Sequence, residues 1–176
     1  DGLIFQNMRV PDRNGSGIRH QKGDLTVVNS LFRNSEQGIL THDDENGTLT
    51  VDHTTFSGLG GCPDGVCSHS IYAGRLKYVR VTNTRFDRGT GGHYLKSRAV
   101  RTDVSDSSFD DTQGRETNYM IDLSVGSTGT ITRNVFVQGR NKENYSAFIA
   151  VSPEGREHRS GGLTVTNNRA SIAPGV

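Results

Sequence analysis

The sequence predicts an all-β fold, a single-stranded parallel β-helix of about seven rungs, and three observations carry that expectation. A segment of alternating polarity recurs along the whole chain, its eighth position is aromatic in most copies, and a second, shorter strand recurs between the copies. The copies begin at Leu3 (LIFQNMRV), Leu25 (LTVVNSLF), Leu49 (LTVDHTTF), Val79 (VRVTNTRF), Thr102 (TDVSDSSF), Gly129 (GTITRNVF) and Leu163 (LTVTNNRA). Successive starts lie 22, 24, 30, 23, 27 and 34 residues apart, a period that marks stacked repeats rather than a globule.

Within a copy the first and third positions are mostly aliphatic and the second is polar, the alternation of a half-buried strand. The fifth position is Asn7, Asn29, His53, Asn83, Asp106, Arg133 and Asn167. Asn and Asp tolerate left-handed backbone, so this position reads as a tight corner. The eighth position, Val10, Phe32, Phe56, Phe86, Phe109, Phe136 and Ala170, is expected to stack into one internal column. Between the copies recur GIRH (17–20), GILT (38–41), SIYA (70–73), HYLK (93–96), MIDL (120–123) and FIAV (148–151), a second strand for each rung.

Composition fits a solenoid. The hydrophobic fraction of 31% is low for a globule, but a β-helix fills only a thin interior column, so one domain spanning 1–176 is expected, complete or as a fragment of a longer β-helix. The first copy begins at residue 3 and leaves no room for a cap, so further rungs, a capping segment or a partner chain is expected over that end. Twenty basic and 19 acidic residues leave a net charge of +1, which gives no overall bias toward nucleic acid or membrane. No apolar run approaches the roughly 20 residues that a spanning helix needs.

Cys62 and Cys67 lie five residues apart in a turn-rich excursion. A disulfide is the structural reading and implies an oxidising compartment, hence a secreted, periplasmic or cell-surface protein. A metal held with His69, or two free thiols, are the other readings of the pair. Asp43, Asp44 and Glu45 form a carboxylate run that reads as a solvated turn or as ligands for a hard cation such as calcium. No residue is assigned as a metal ligand.

The second recurring strand carries the candidate chemistry. With Ile18, Ile39, Ile71 and Ile121 pointing inward, Arg19, Leu40, Tyr72 and Asp122 point outward in one line, with His42 one step further along. In the fourth rung, burying Leu95 directs Tyr94, Lys96 and Arg98 outward, whereas the opposite register would bury an unpaired ammonium. His20, His69, His93 and Glu154 lie close by in rung terms. The insertions at 57–70, 110–118 and 152–162 adjoin this strand and are expected to wall a groove beside it. Arg and Lys next to Tyr suit a carboxylated sugar, because guanidinium binds carboxylate in two-pronged fashion and an aromatic face stacks on a pyranose. The expected partner is an acidic, uronate-containing polysaccharide, bound through Arg19, His20, His42, His69, Tyr72, Tyr94, Asp122 and Glu154.

The repeated strands and Asn corners resemble the right-handed parallel β-helix proteins of the pectate-lyase-like superfamily, from which, with the chirality of parallel crossovers, the right-handed coil is taken. Tyr94-Leu-Lys-Ser-Arg98, followed by Asp103-Val-Ser-Asp-Ser-Ser-Phe109, is similar to a segment of the polysaccharide lyase family that contains chondroitinase B and alginate lyases. That resemblance implies Lys96 as the base that removes the proton next to a uronate carboxylate, and calcium as a neutralising cofactor. The family carries the Arg that acts as the acid on the next rung, where this chain has Tyr119-Met-Ile-Asp-Leu123 instead, so Arg98 does not match that position; the candidate catalytic set is Lys96, Arg98 and His93. The expected function is therefore polysaccharide binding, with β-elimination or epimerisation as its chemistry, and a non-catalytic carbohydrate-binding or structural module of the surface, adhesin or phage-tail type as the alternative. Hydrolysis needs paired carboxylates on one face, and Asp122 with a more distant Glu154 argues against it.

Overall fold

The computed structural model describes residues 1–175, and the chain coils as a parallel β-solenoid. The first coil holds β1 (Ile4–Gln6), β2 (Ser16–His20) and β3 (Leu25–Val28), and the second β4 (Leu31–Arg33), β5 (Gln37–Thr41) and β6 (Asp44–Asp52). The third holds β7 (Thr55–Ser57), β8 (Ile71–Ala73) and β9 (Leu76–Thr82), and the fourth β10 (Arg85–Asp87), β11 (Leu95–Ser97) and β12 (Arg101–Ser105). The fifth holds β13 (Ser108–Asp110), β14 (Ile121–Leu123) and β15 (Gly129–Thr132), and the sixth β16 (Val135–Gln138), β17 (Ile149–Val151) and β18 (Leu163–Thr166), before β19 (Arg169–Ile172) begins another.

Like strands of successive coils pair in parallel, which makes three sheets. Sheet 1 stacks the seven strands β1, β4, β7, β10, β13, β16 and β19; sheet 2 stacks the six strands from β2 to β17; sheet 3 stacks the six from β3 to β18. Six three-strand coils, with five stacking steps between first and last, are slightly fewer than the rungs expected.

Each recurring copy is the end of sheet 3, a corner and a sheet 1 strand. Asn29, His53, Asn83, Asp106, Arg133 and Asn167 all have φ between 46° and 56°, the left-handed corner that Asn and Asp favour. The residue after each corner turns a polar side chain inward to satisfy backbone N–H groups of the coil before it. Thr84 N–H donates to Ser107 Oγ (3.1 Å), Ser107 N–H to Asn134 Oδ1 (3.0 Å) and Asn134 N–H to Asn168 Oδ1 (2.9 Å). Without these partners the buried corners would leave donors unpaired, at about 1–3 kcal/mol each.

The internal column exists, and its members are Phe5, Phe32, Phe56, Phe86, Phe109 and Phe136, with ring centroids 4.6–5.1 Å apart and planes within 18°. The first copy is the exception to the expected register. Phe5 pairs with Phe32, so β1 matches the second half of the repeat, and Val10 is exposed rather than stacked. Asn7 has the left-handed φ of 59°, but its N–H donates to Arg33 O, which places it at the next corner, beside Asn34. Across the interior, Ile39, Ile71, Leu95 and Ile121 of sheet 2 are in register and fully buried. Gly38 precedes this row because a Cβ there would stand 2.7 Å from the Phe56 ring.

Candidate functional site

Sheet 2 presents the candidate site on its outer face. Register puts Arg19, Leu40, Tyr72, Lys96, Asp122 and Ala150 in one outward line, one residue per coil. Neighbouring strands lie about 4.8 Å apart, so a linear ligand along this line meets a new side chain at every such step. Arg19, Tyr72, Lys96 and Asp122 thus share one face.

At the centre, Lys96 sits above Asp122 and is only 7% exposed. Its Nζ donates to Asp122 Oδ2 at 3.2 Å and also to Glu154 Oε1. Arg98, two residues on and therefore on the same face, donates through Nη2 to Glu154 Oε2 and through Nε to the Tyr72 hydroxyl at 3.0 Å. Ser124 Oγ donates to Asp122 Oδ2 at 2.8 Å, and His93 Nε2 lies 3.4 Å from the same oxygen. One chain of contacts therefore joins Tyr72, Arg98, Glu154, Lys96, Asp122 and His93 across four coils.

Beside this line runs a short stack of rings. His69 and His93 are parallel at 5.0 Å, and His93 and Tyr119 at 5.5 Å. The backbone N–H of His93 donates to His69 Nδ1 at 3.0 Å, which fixes the His69 proton on Nε2. The approach depends on Gly92, at φ 65°, where a Cβ would stand 2.1 Å from Ser68 O and 2.9 Å from that same Nδ1. Burial, reinforced by the neighbouring His93 ring and by the positive charges of Lys96 and Arg98, holds His69 well below the ordinary imidazole range. Burial lowers His93 as well, against the opposing pull of Asp122. Both rings are therefore neutral near pH 7.

Three buried side-chain polar atoms among the described residues have no hydrogen-bond partner: Gln37 Oε1 in β5, Asp122 Oδ1 in β14, and His93 Nδ1 two residues before β11. His93 and Asp122 belong to the central group of contacts, whereas Gln37 lies two coils from Lys96.

Several expected positions are corrected. Tyr94 does not face outward: it is 1% exposed, packs against Phe86 and Phe109, and donates its hydroxyl to Asp111 Oδ1 at 2.6 Å. The chain bends just before β11, so Tyr94 and Leu95 both turn inward and alternation starts afresh after them. Glu154 is not distant but lies directly on Lys96 and Arg98. His20 pairs in register with Thr41, on the opposite parity to Arg19, and its Nε2 lies 3.0 Å from Gly23 O. His42 is exposed near Asp43 O and stands apart from the central contacts. Cys62 and Cys67 form a disulfide, which removes them as ligands beside His69.

The cation reading of the acidic run finds no donor set. Asp43 is held by Arg75, Asp44 accepts the Gly23 N–H at 2.7 Å, and among the described residues no three His, Cys, Asp or Glu side chains are grouped to hold a metal. In the centre of the site Asp122 and Glu154 both accept from Lys96, so the two carboxylates there are already paired with a cation of the protein.

The insertions flank sheet 2 on both edges. Residues 58–70 and 111–120 lead into β8 and β14, and 152–162 leaves β17 on the other edge. A cavity of about 430 Å³, lined by Glu45, Arg75, Leu76, Val100, Glu157 and His158, follows the flank where the last loop lies. Over the Lys96 line itself, Glu154 is the cover. Tyr119 and Ser124 join the site without having been singled out in the sequence. A ring two residues before the inward Ile121, as His69 stands two before Ile71, was the available signal for Tyr119.

Comparison with protein-family models, with curated proteins and with solved structures finds no match to this chain.

Proposed function

We propose that the outer face of sheet 2 binds a uronate-containing acidic polysaccharide, with elimination or epimerisation next to the uronate carboxylate as its chemistry. The observation that supports it most is the placing of the cationic pair Lys96 and Arg98 beside Tyr72, His93 and Asp122 on the one face whose residues repeat with the coils. A repeating surface fits a repeating ligand, and Lys96 with Arg98 supplies the donors that a carboxylate takes. The resemblance to the pectate-lyase-like superfamily points the same way.

The roles of the residues differ from those that the resemblance implies. Lys96 donates to two carboxylates as an ammonium, and its nitrogen has no lone pair to offer until one proton leaves. In this reading Lys96 and Arg98 neutralise the uronate carboxylate, which makes the adjacent proton removable. His93 is the better base, because burial keeps it neutral and its ring lies beside Lys96, with Nε2 3.4 Å from Asp122 Oδ2.

A second reading, a non-catalytic carbohydrate-binding module, is favoured by the fact that Lys96, Arg98 and Arg75 are each already paired with a carboxylate of the protein. One experiment separates the two. The protein is incubated with alginate, pectate and glycosaminoglycans, while the ultraviolet absorbance of an unsaturated product, isomerisation by proton NMR and retention on the immobilised polymers are followed. Turnover that is lost in His93→Ala supports catalysis. Retention without turnover supports the module, and neither with any polymer removes the polysaccharide reading.

A further inference from the structure

The Lys96–Arg98 pair already holds a carboxylate, and it belongs to the protein. Lys96 Nζ contacts Glu154 Oε1 and Arg98 Nη2 contacts Glu154 Oε2, so each oxygen of one carboxylate is taken by a different cation. The two donors keep their places without Glu154. Asp122 holds Lys96 from the sheet side at 3.2 Å, and the Tyr72 hydroxyl holds the Arg98 guanidinium at 3.0 Å. Glu154 is reached from the other side, with 38% of its side chain exposed against 9% for Lys96.

We infer that Lys96 and Arg98 form a carboxylate-binding subsite for which Glu154 is the resident occupant, a side-chain plug that an acidic ligand displaces. This deepens the polysaccharide reading by naming the point where the uronate carboxylate lands, and it rests on that reading for the identity of the natural ligand alone.

The loop that carries Glu154 is fastened on both sides of it, so displacement needs a side-chain rotation and not an opening of the loop. Glu154 N–H donates to Ser124 O (2.9 Å), and the N–H groups of Glu157 and His158 donate to Val125 O (2.9 and 3.0 Å). Arg75 grips Glu157 with two bonds of 2.7 Å, and His158 Nε2 lies 3.1 Å from Arg98 O. Gly155, at φ 150° and with no atom within 4 Å of where a Cβ would be, leaves the space beside Glu154 free. Charge favours the exchange. With Glu154 turned away, Lys96, Arg98 and Asp122 sum to +1, and a ligand carboxylate restores neutrality. Glu154 goes from a partly exposed contact into water, and the ligand carboxylate takes over the two contacts that it gives up.

The alternative is a plain brace, in which Glu154 only fastens the loop. The two differ in what its removal creates. Glu154→Ala and the near-isosteric Glu154→Gln are compared with the native protein for binding of sodium glucuronate, with acetate as the minimal carboxylate and glucose as the neutral control, by calorimetry and by ligand-dependent thermal shift. A displaced plug predicts that glucuronate and acetate bind at least one of the two variants about tenfold or more tighter than the native protein, that glucose does not, and that adding Arg98→Ala abolishes the gain. No gain for either carboxylate in either variant, with both folded by circular dichroism, overturns the inference, and so does a gain that Arg98→Ala leaves intact. If both variants unfold, Glu154 is a brace and the inference falls with them. The two proposals fail separately. Glucuronate binding by the variants with no polymer bound by any form removes the polysaccharide and keeps the subsite, whereas polymer bound equally by native protein and variants removes the plug and keeps the polysaccharide.

Discussion

Lys142 and Asp111 are an ion pair with side chains 1% and 0% exposed, joined at 3.3 Å between neighbouring coils. The pair is tolerated because nothing in it is left over: Lys142 Nζ also donates to Thr117 Oγ1 (3.0 Å) and Asn118 O (2.6 Å), while Tyr94 and Thr117 hydroxyls donate to the Asp111 carboxylate. Burial, with Asp111 beside it, pushes the Tyr94 phenol well above its ordinary range, so it stays a donor at any pH at which the protein is folded. Removing one partner strands a buried charge, at about 3–5 kcal/mol. Lys142→Met should therefore lower the melting temperature by about 10 °C or more, and Asp111→Asn added to it should recover part of the loss, both read by calorimetry. A full loss that the second substitution does not reduce would mean that packing of the Lys142 stem, and not charge, is at stake. This node was not legible in the sequence. Alternation within β11 points Tyr94 outward, but the bend before the strand resets it, and its partner Asp111 lies in another coil's connection, where no periodicity points.

At the scale of the element, the strands are mostly three to five residues long and hold only as a stack. Phe86 is fully buried between Phe56 and Phe109, with centroids at 5.1 and 4.6 Å, whereas Phe5 has a ring neighbour on one side only and is half-buried. Truncation at the centre loses ring area and leaves a cavity; Phe86→Ala should cost about 3–5 kcal/mol in urea unfolding. Phe5→Ala should cost clearly less, and equal losses would contradict a column whose end member is half-solvated. The elements themselves were largely legible, since the left-handed corners and inward Ile rows show as fixed spacings. The first copy was not, because Leu3-Ile4-Phe5 offers an apolar run that fits either half of the repeat. Only pairing with β4 selects Phe5 over Val10.

For the whole molecule, acid should act first through the two neutral imidazoles. Between their lowered folded values and the ordinary value near 6.5, the unfolded chain holds protons that the folded one does not. Stability therefore rises with pH through that window and is lost as pH falls from 7 toward 5, above the range in which carboxylates titrate. Urea midpoints measured at pH 5, 6, 7 and 8 should show this slope in the native protein and a flatter one in His69→Gln/His93→Gln. The shared face of Tyr72, Lys96 and Asp122 was readable from the strand repeat, since parity alone assigns it. The position of Glu154 was not, because a loop's path has no period.

The rings of sheet 1 and the residue that ends the column, Ala170, are 27, 24, 30, 23, 27 and 34 residues apart, yet they pair without a slip. Most of the variation in length is taken up at the connections that border the candidate site, and some of it by the register shift between Asp44 and Thr48 in β6. Those connections are thus where the coil admits added length: residues can be inserted at an exposed tip such as 63–66 while the paired strands keep their register, provided that buried members of the connections such as Leu59, Asp111 and Lys142 stay in place.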